Sequence, residues 1–219
     1  MKLRLKNVRP LRVLNFDCEC RPMHWYGGDW VSKEITAIAW AFIDPKRPAK
    51  PLGEVEVRVL RLPDPECETL ADYFRTSGMI DMLTDFVAAY NEADVVVGHF
   101  VKGYDLSTIN GQLLEAGLPL LSNKLVQDTK VDLPKLQGLS KSQENLGGTL
   151  GLKHPKVGMN QADWRVANRL IGFGVRGTER RVVGDVLQNI ELRATLLARG
   201  ALSEPTPWSG NNLPEGYTP

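Results

Sequence analysis

The segment 11–20 constrains the fold of this chain more than any other, because it begins apolar and ends in two carboxylates one residue apart. Residues such as Val13 and Phe16 favour a β-strand. Side chains two residues apart on a strand point to the same face, so Asp17 and Glu19 project together if the strand continues through Glu19. Neighbouring carboxylates repel each other, and a cation with oxygen ligands, such as Mg²⁺, removes that penalty. The alternative is a strand that ends in water, where two acids are harmless.

Length and composition indicate a globular protein with one sizeable core. The chain has 219 residues, of which 42% are hydrophobic and 24% charged, and both fractions are ordinary for a globular domain. The three cysteines fit neither a disulfide framework nor a zinc site. Because no apolar run has the length of a membrane span and no signal peptide is recognisable, we expect a cytoplasmic protein without membrane association.

The formal net charge of +1 gives no general electrostatic argument for nucleic-acid binding. The charges are nevertheless unevenly distributed, with ten acids against three bases in 54–94 and many Lys and Arg residues after 120. A one-sided basic surface and a scatter of solvated cations are both compatible with this distribution.

The periodicity of apolar residues predicts an α/β fold in a single domain over 1–200, with a mixed β-sheet flanked by α-helices on both faces. Predicted strands cover 11–18, 35–43, 55–60, 94–98 and 125–126, and predicted helices cover 79–92, 106–116, two short stretches in 132–150, 161–171 and 179–198. Four prolines after residue 200 predict a C-terminal tail over 201–219, disordered or draped over the surface.

Two later acids stand in positions from which they could join the first pair. Asp105 follows a buried strand and a short loop, at a helix start where Asp usually acts as a cap. Asp185 flanks the apolar stripe of the last helix, where an exposed ion pair with Arg181, one turn earlier, is the ordinary alternative. Taken singly, each acid has a plain structural explanation.

Taken together, these stretches resemble the DnaQ-like, or DEDD, family of 3′→5′ exonucleases, which have a ribonuclease-H-like fold. The segments that resemble the three family motifs are 16–19, 98–106 and 184–186, and 143–152 is similar to a helix between the second and third motifs. The resemblance extends over residues 11 to 198. It implies a metal site in which four catalytic carboxylates hold two Mg²⁺ or Mn²⁺ ions: Asp17, Glu19, Asp105 and Asp185.

The chain departs from the family pattern one turn before the last Asp. The family has a Tyr or His there as general base, whereas this chain has Arg180 and Arg181, and arginine cannot accept a proton at accessible pH. Three explanations stay open. The metal alone activates the water; another residue substitutes, with His154 the first candidate and His99 the second; or the chain is slow or non-catalytic.

Candidate substrate contacts are Trp25 in the aromatic loop 25–30, Lys102 in the second motif, and Arg181. Trp25 could stack on a base or fold onto the core. Lys102 stands near Phe100, which occupies a position where the family usually has Asn. Arg181 would steady phosphate charge if it acts, and it would otherwise pair with Asp185.

The sequence therefore predicts a two-metal 3′→5′ exonuclease acting on single-stranded nucleic-acid ends, with DNA favoured over RNA. A separate polymerase or replication protein is the expected partner. The alternatives are a non-catalytic or weakly active nucleic-acid-binding module of the same fold, and an endonuclease or exoribonuclease of that fold.

Overall fold

A six-stranded mixed β-sheet with helices on both faces organises the part of the chain that the computed structural model describes, residues 9–24 and 31–211. In chain order the elements are β1 (Val13–His24), β2 (Val31–Phe42), β3 (Glu56–Val59), α1 (Leu70–Thr76), α2 (Met79–Glu92), β4 (Val95–Gly98), α3 (Asp105–Glu115), β5 (Lys124–Asp128), α4 (Gln143–Leu150), α5 (Gln161–Ala167), α6 (Gly172–Ala198) and β6 (Thr206–Trp208). The strand order is β3-β2-β1-β4-β5-β6. β4 runs parallel to β1 and β5, and the other pairs are antiparallel. The predicted α/β fold class is confirmed.

Alternation along β1 separates an apolar face from a polar one. Phe16 belongs to the large core that β1 shares with α2 and α3, and its ring lies 5.0 Å from that of Phe86. The odd-numbered residues of β1 point to the opposite face, which α6 covers. There, Ala39 and Ala37 of β2 lie directly opposite Asp17 and Glu19 and are fully buried. Their small side chains leave room for α6 beside the carboxylates.

Buried amides fix the position of α6 against β1. The Asn15 side chain donates to the carbonyl of Val186 at 3.1 Å and accepts from Asn189 at 2.5 Å. Thr129, directly after β5, donates to the Asn189 side chain at 2.6 Å. Because buried amides without partners are costly, this network disfavours a shift of the helix along the strand. It holds the middle of α6, including Asp185, over the polar face of β1.

The observed helices and strands differ from the predicted ones mainly where contacts between elements decide the backbone conformation. α6 begins at residue 172, seven residues before the predicted start at 179. The stretch 132–150 contains one helix rather than two, and α1 has no counterpart among the predicted helices. Residues 201–211 of the predicted tail are draped on the domain, and they include β6, which forms the edge of the sheet beside β5.

Gly174 explains the early start of α6. A Cβ atom built there would lie 2.2 Å from the backbone nitrogen of Ala167, so glycine allows the backbones of α5 and α6 to meet. In the sequence, the same glycine and its neighbours Gly172 and Gly177 favour an irregular segment, because glycine weakens isolated helices. Tertiary contact outweighs that propensity.

We expect Gly174→Ala to destabilise the protein by about 2–3 kcal/mol, because the added methyl group must push two helix backbones apart. Gly177→Ala is the matched control in the same helix. Its Cβ would meet only the methyl carbon of Met159, at an ordinary 3.6 Å, so a gain of about 0.5–1 kcal/mol is expected. Chemical denaturation of both variants measures the difference, and equal stabilities would contradict the packing role of Gly174.

None of the helices in the described ranges is both long and apolar enough to cross a membrane.

Candidate metal centre

Three carboxylates converge where β1 passes under α6. Oxygens of Asp17, Glu19 and Asp185 all lie within 4.8 Å of one another. The strand β1 continues past Glu19 to His24, so Asp17 and Glu19, two residues apart, project from the same face. Asp185 reaches the same point from the buried side of α6 and is only 2% exposed.

Asp105, the fourth predicted acid, borders this group without belonging to the set of three. It is the first residue of α3 and is buried, and its Oδ1 accepts hydrogen bonds from the backbone nitrogen of Cys18 at 3.2 Å and from the Cys18 thiol at 3.1 Å. Its negative charge nevertheless acts on the centre, because after burial it is the next cause of the raised pKa of Asp17. The structure thus brings all four predicted acids into one neighbourhood.

The acids of the centre have raised pKa values because they are buried and close together. Burial raises the pKa of Asp17 well above its ordinary value, and repulsion from Asp105, Asp185 and Glu19 adds to the effect. Burial also raises the pKa of Asp105, to about 6. The pKa values of Glu19 and Asp185 are raised by burial too, although nearby cations oppose this. Carboxylates with raised pKa values are stabilised either when they bind a proton or when a cation lies beside them.

Two basic side chains partly neutralise the carboxylates. The Arg181 guanidinium lies 2.5 Å from Glu19 through Nε and 3.8 Å from Asp185 through Nη2. The Lys156 ammonium lies 3.1 Å from Oδ2 of Asp185. Burial lowers the pKa of Arg181, but the carboxylates outweigh this and the pKa is raised. If all four acids are ionised, as binding of a metal ion requires, the two cations leave two of their negative charges uncompensated.

The segment that carries Lys156 is fastened along α6. Glu191 accepts hydrogen bonds from the backbone nitrogens of residues 153 and 154, at 2.9 and 3.2 Å. Val157 packs against Gly184, where an added Cβ would lie 2.9 Å from the valine side chain. The carbonyl of Val157 also accepts a hydrogen bond from Arg181 at 2.7 Å. These contacts with α6 hold the segment in place and so keep Lys156 beside the carboxylates.

The residues of the centre fit a hard divalent cation. Oδ1 of Asp185 is buried and has no hydrogen-bond partner among the described residues, so one acceptor of this carboxylate is unused. Carboxylate oxygens are the ligands that Mg²⁺ and Mn²⁺ prefer. Asp17, Glu19 and Asp185 are the residues that would hold such an ion, and its charge would take over the role of Lys156 beside Asp185.

The two histidine candidates for general base lie in other surroundings. Nδ1 of His154 is 3.1 Å from Glu191, and the ring is largely exposed. His99 faces Thr129 at 2.9 Å, and burial lowers its pKa to about 4. The contacts of the described residues place neither ring against the three carboxylates.

The candidate substrate contacts have different outcomes. Arg181 lies inside the centre, with Glu19 rather than Asp185 as its nearer partner. The Lys102 ammonium pairs with Asp132 at 2.7 Å and donates to Thr206 at 2.8 Å, and its role as a substrate contact stays a prediction. Trp25 lies outside the described residues. Sequence reasoning missed Lys156 as a residue of this centre, because an isolated lysine in an irregular loop carries no signal for a buried ion pair.

No protein-family model and no curated protein matches the chain. Among solved structures, the chain is similar to the family B DNA polymerase from the hyperthermophilic archaeon Pyrobaculum calidifontis, with a TM-score of 0.50 and 19% sequence identity. The match covers 86% of this chain and 25% of the polymerase, so the chain spans about a quarter of that protein's length. At this identity the likeness concerns the fold, a mixed six-stranded α/β architecture that is consistent with the ribonuclease-H-like fold.

The raised pKa values predict a pH-dependent effect of Asp105→Asn on the metal-free protein. Between about pH 4 and pH 6, the folded state keeps a proton on Asp105 that the unfolded chain has released, so this group makes stability fall as pH rises. We expect Asp105→Asn to match wild type near pH 4 and to be about 2–3 kcal/mol more stable at pH 7. Urea denaturation in EDTA measures this difference, and a difference that is constant across pH would contradict the prediction.

Proposed function

We propose that this chain is a metal-dependent 3′→5′ exonuclease that hydrolyses phosphodiester bonds at the 3′ end of single-stranded nucleic acid. The observation that carries the proposal is the convergence of Asp17 and Glu19 from β1 with Asp185 from α6. The buried, unpartnered oxygen of Asp185 and the uncompensated negative charge support the same conclusion. The chain is similar in fold to about a quarter of a DNA polymerase, and on that ground DNA is proposed as the substrate before RNA.

The roles of the residues follow from their positions. Asp17, Glu19 and Asp185 hold Mg²⁺ or Mn²⁺, two ions in the proposed active state, and Asp105 adds negative charge beside them. When bound, the ions supply a lowered pKa for the attacking water and stabilise charge on the attacking and leaving oxygens. A separate polymerase or replication protein remains the proposed partner.

Lys156 and Arg181 are proposed to change partners when the strand enters. In the structure both cations neutralise carboxylates, and release from them would leave both free to contact phosphate oxygens. Arg181 cannot serve as the base, because a guanidinium does not release its proton at accessible pH. The general base of the family thus has no equivalent on this helix turn, and activation of the water rests on the bound ions.

A non-catalytic nucleic-acid-binding module is the second candidate function. The salt bridges from Arg181 to Glu19 and from Lys156 to Asp185 favour it, because they already stabilise part of the acidic cluster without a metal ion. Asp17 and Asp105 have no salt-bridge partner among the described residues, which leaves them available to a metal ion and argues for the exonuclease.

The direct test is cleavage of 5′-labelled single strands of DNA and RNA in Mn²⁺. We expect a ladder that shortens from the 3′ end, disappears in EDTA, and is blocked by a terminal phosphorothioate linkage. Cleavage of a circular single strand would instead indicate an endonuclease. Binding without cleavage of any strand would favour the non-catalytic module.

A further inference from the structure

An open groove lies along the N-terminal half of α6, outside the carboxylate cluster. It has a volume of about 500 Å³ and is lined by Phe173, Arg176, Glu179, Arg180 and Val183. Phe173 is 57% exposed, which is high for a phenylalanine on a folded domain. Spacings of three and four residues place Phe173, Arg176 and Arg180 along one side of the helix.

The two arginines of this groove have no ion-pair partner among the described residues, whereas Arg181 beside them is engaged with Glu19. The surrounding stretch 161–183 contains five arginines and two acids. Two exposed guanidiniums and an exposed aromatic ring therefore share one groove. Guanidiniums bind phosphate oxygens, and aromatic rings stack on bases whatever the sequence.

A neighbouring recess extends the groove towards the segment that carries Lys156. A second recess of about 120 Å³ shares Phe173 and Arg180 with it and reaches Val157. Val157 directly follows Lys156, and its carbonyl accepts the hydrogen bond from Arg181. A strand lying in the groove would thus lead towards Val157, whose neighbour Lys156 and hydrogen-bond donor Arg181 both contact the carboxylates.

We propose that this groove binds the single strand next to the cleaved end, an inference that rests on the proposed function. Arg176 and Arg180 contact successive phosphates, and the Phe173 ring stacks on a base. Glu179 on the groove wall repels the backbone and limits the affinity, which suits a surface along which the strand must move after each cut.

Fluorescence anisotropy of a labelled single strand, in EDTA so that no cleavage occurs, tests the groove. Loss of two phosphate contacts in the double variant Arg176→Gln/Arg180→Gln should weaken binding about tenfold at low salt. It should also lower the slope of log affinity against log salt by about 1.4. Phe173→Ala should weaken binding about fivefold or more without changing the salt slope.

Arg199→Gln is the matched control, since Arg199 is an exposed arginine at the other end of α6, roughly 30 Å away along the helix axis. It should bind as wild type does, and thermal melting checks that every variant is folded. If the double variant kept the affinity and the salt slope of wild type, the proposed binding role of the groove would be wrong. Failure of wild type to bind the strand would also overturn it.

Equally tight binding of a duplex would show a general polyanion surface and overturn the single-strand assignment. Absence of cleavage by wild type in Mn²⁺ is a separate result. It would refute the exonuclease while leaving the binding comparison decisive for the groove.

Discussion

Asp17→Asn should reduce metal-dependent cleavage by at least about 1000-fold, the largest effect that the structure predicts for a single substitution. Asp17 lies among three other acids, and its burial, together with their charges, raises its pKa. The asparagine side chain keeps the shape but removes the charge that a divalent ion requires, and metal-based stabilisation of the transition state amounts to several kcal/mol. Single-turnover cleavage of an end-labelled strand in Mn²⁺ measures the loss.

The substitution should leave the fold intact, since it relieves repulsion in the metal-free protein. Because the pKa of Asp17 is raised well above its ordinary value, Asp17→Asn should melt above wild type in EDTA at pH 7, as Asp105→Asn should, whereas Mn²⁺ should raise the melting temperature of wild type alone. Asp81→Asn is the control, because Asp81 is an exposed acid on α2, on the opposite face of the sheet from α6. Cleavage by Asp17→Asn at the rate of Asp81→Asn would contradict the proposed centre.

Lys156→Gln should tighten Mn²⁺ binding about tenfold. In wild type an entering ion competes with the ammonium group that lies 3.1 Å from Asp185, and this competition weakens the apparent affinity. The glutamine variant removes the competing charge. Cleavage at saturating Mn²⁺ should fall in the same variant, because the proposed phosphate contact of Lys156 is lost.

Calorimetric titration with Mn²⁺ measures the affinities, and Lys153→Gln is the matched control. Lys153 is exposed on the same segment, and only its backbone nitrogen is bonded to Glu191. A Lys156→Gln variant that binds Mn²⁺ no more tightly than Lys153→Gln would show that the ammonium does not occupy the position of an ion.

Elements with a strong pattern of their own could be predicted from the sequence. The helix predicted over 79–92 has the same bounds in α2 because its apolar spacing is regular and it packs on the sheet as an ordinary amphipathic helix. The shared direction of Asp17 and Glu19 followed from strand alternation alone. These features depend on residues that are neighbours in the sequence.

Features that depend on contacts between separate elements could not be predicted in this way. The start of α6 depends on the contact of Gly174 with Ala167, which only the folded chain reveals. Lys156 reaches Asp185 because Glu191 and Gly184, later in the chain, hold its segment against α6. The edge strand at 206–208 forms beside β5 in a proline-containing stretch, where periodicity favours no element. In each case the feature depends on a contact between two elements, and the spacing of apolar residues within one element gives no information about that contact.

The proposed metal centre is tested most sharply by anomalous diffraction from crystals grown with Mn²⁺ and a single strand whose 3′-terminal linkage resists hydrolysis. We predict anomalous peaks roughly 2 Å from carboxylate oxygens of Asp17, Glu19 and Asp185, with the Lys156 ammonium withdrawn from Asp185. Absence of Mn²⁺ from this cluster, with Lys156 and Arg181 still paired to the carboxylates while the strand is bound, would contradict it.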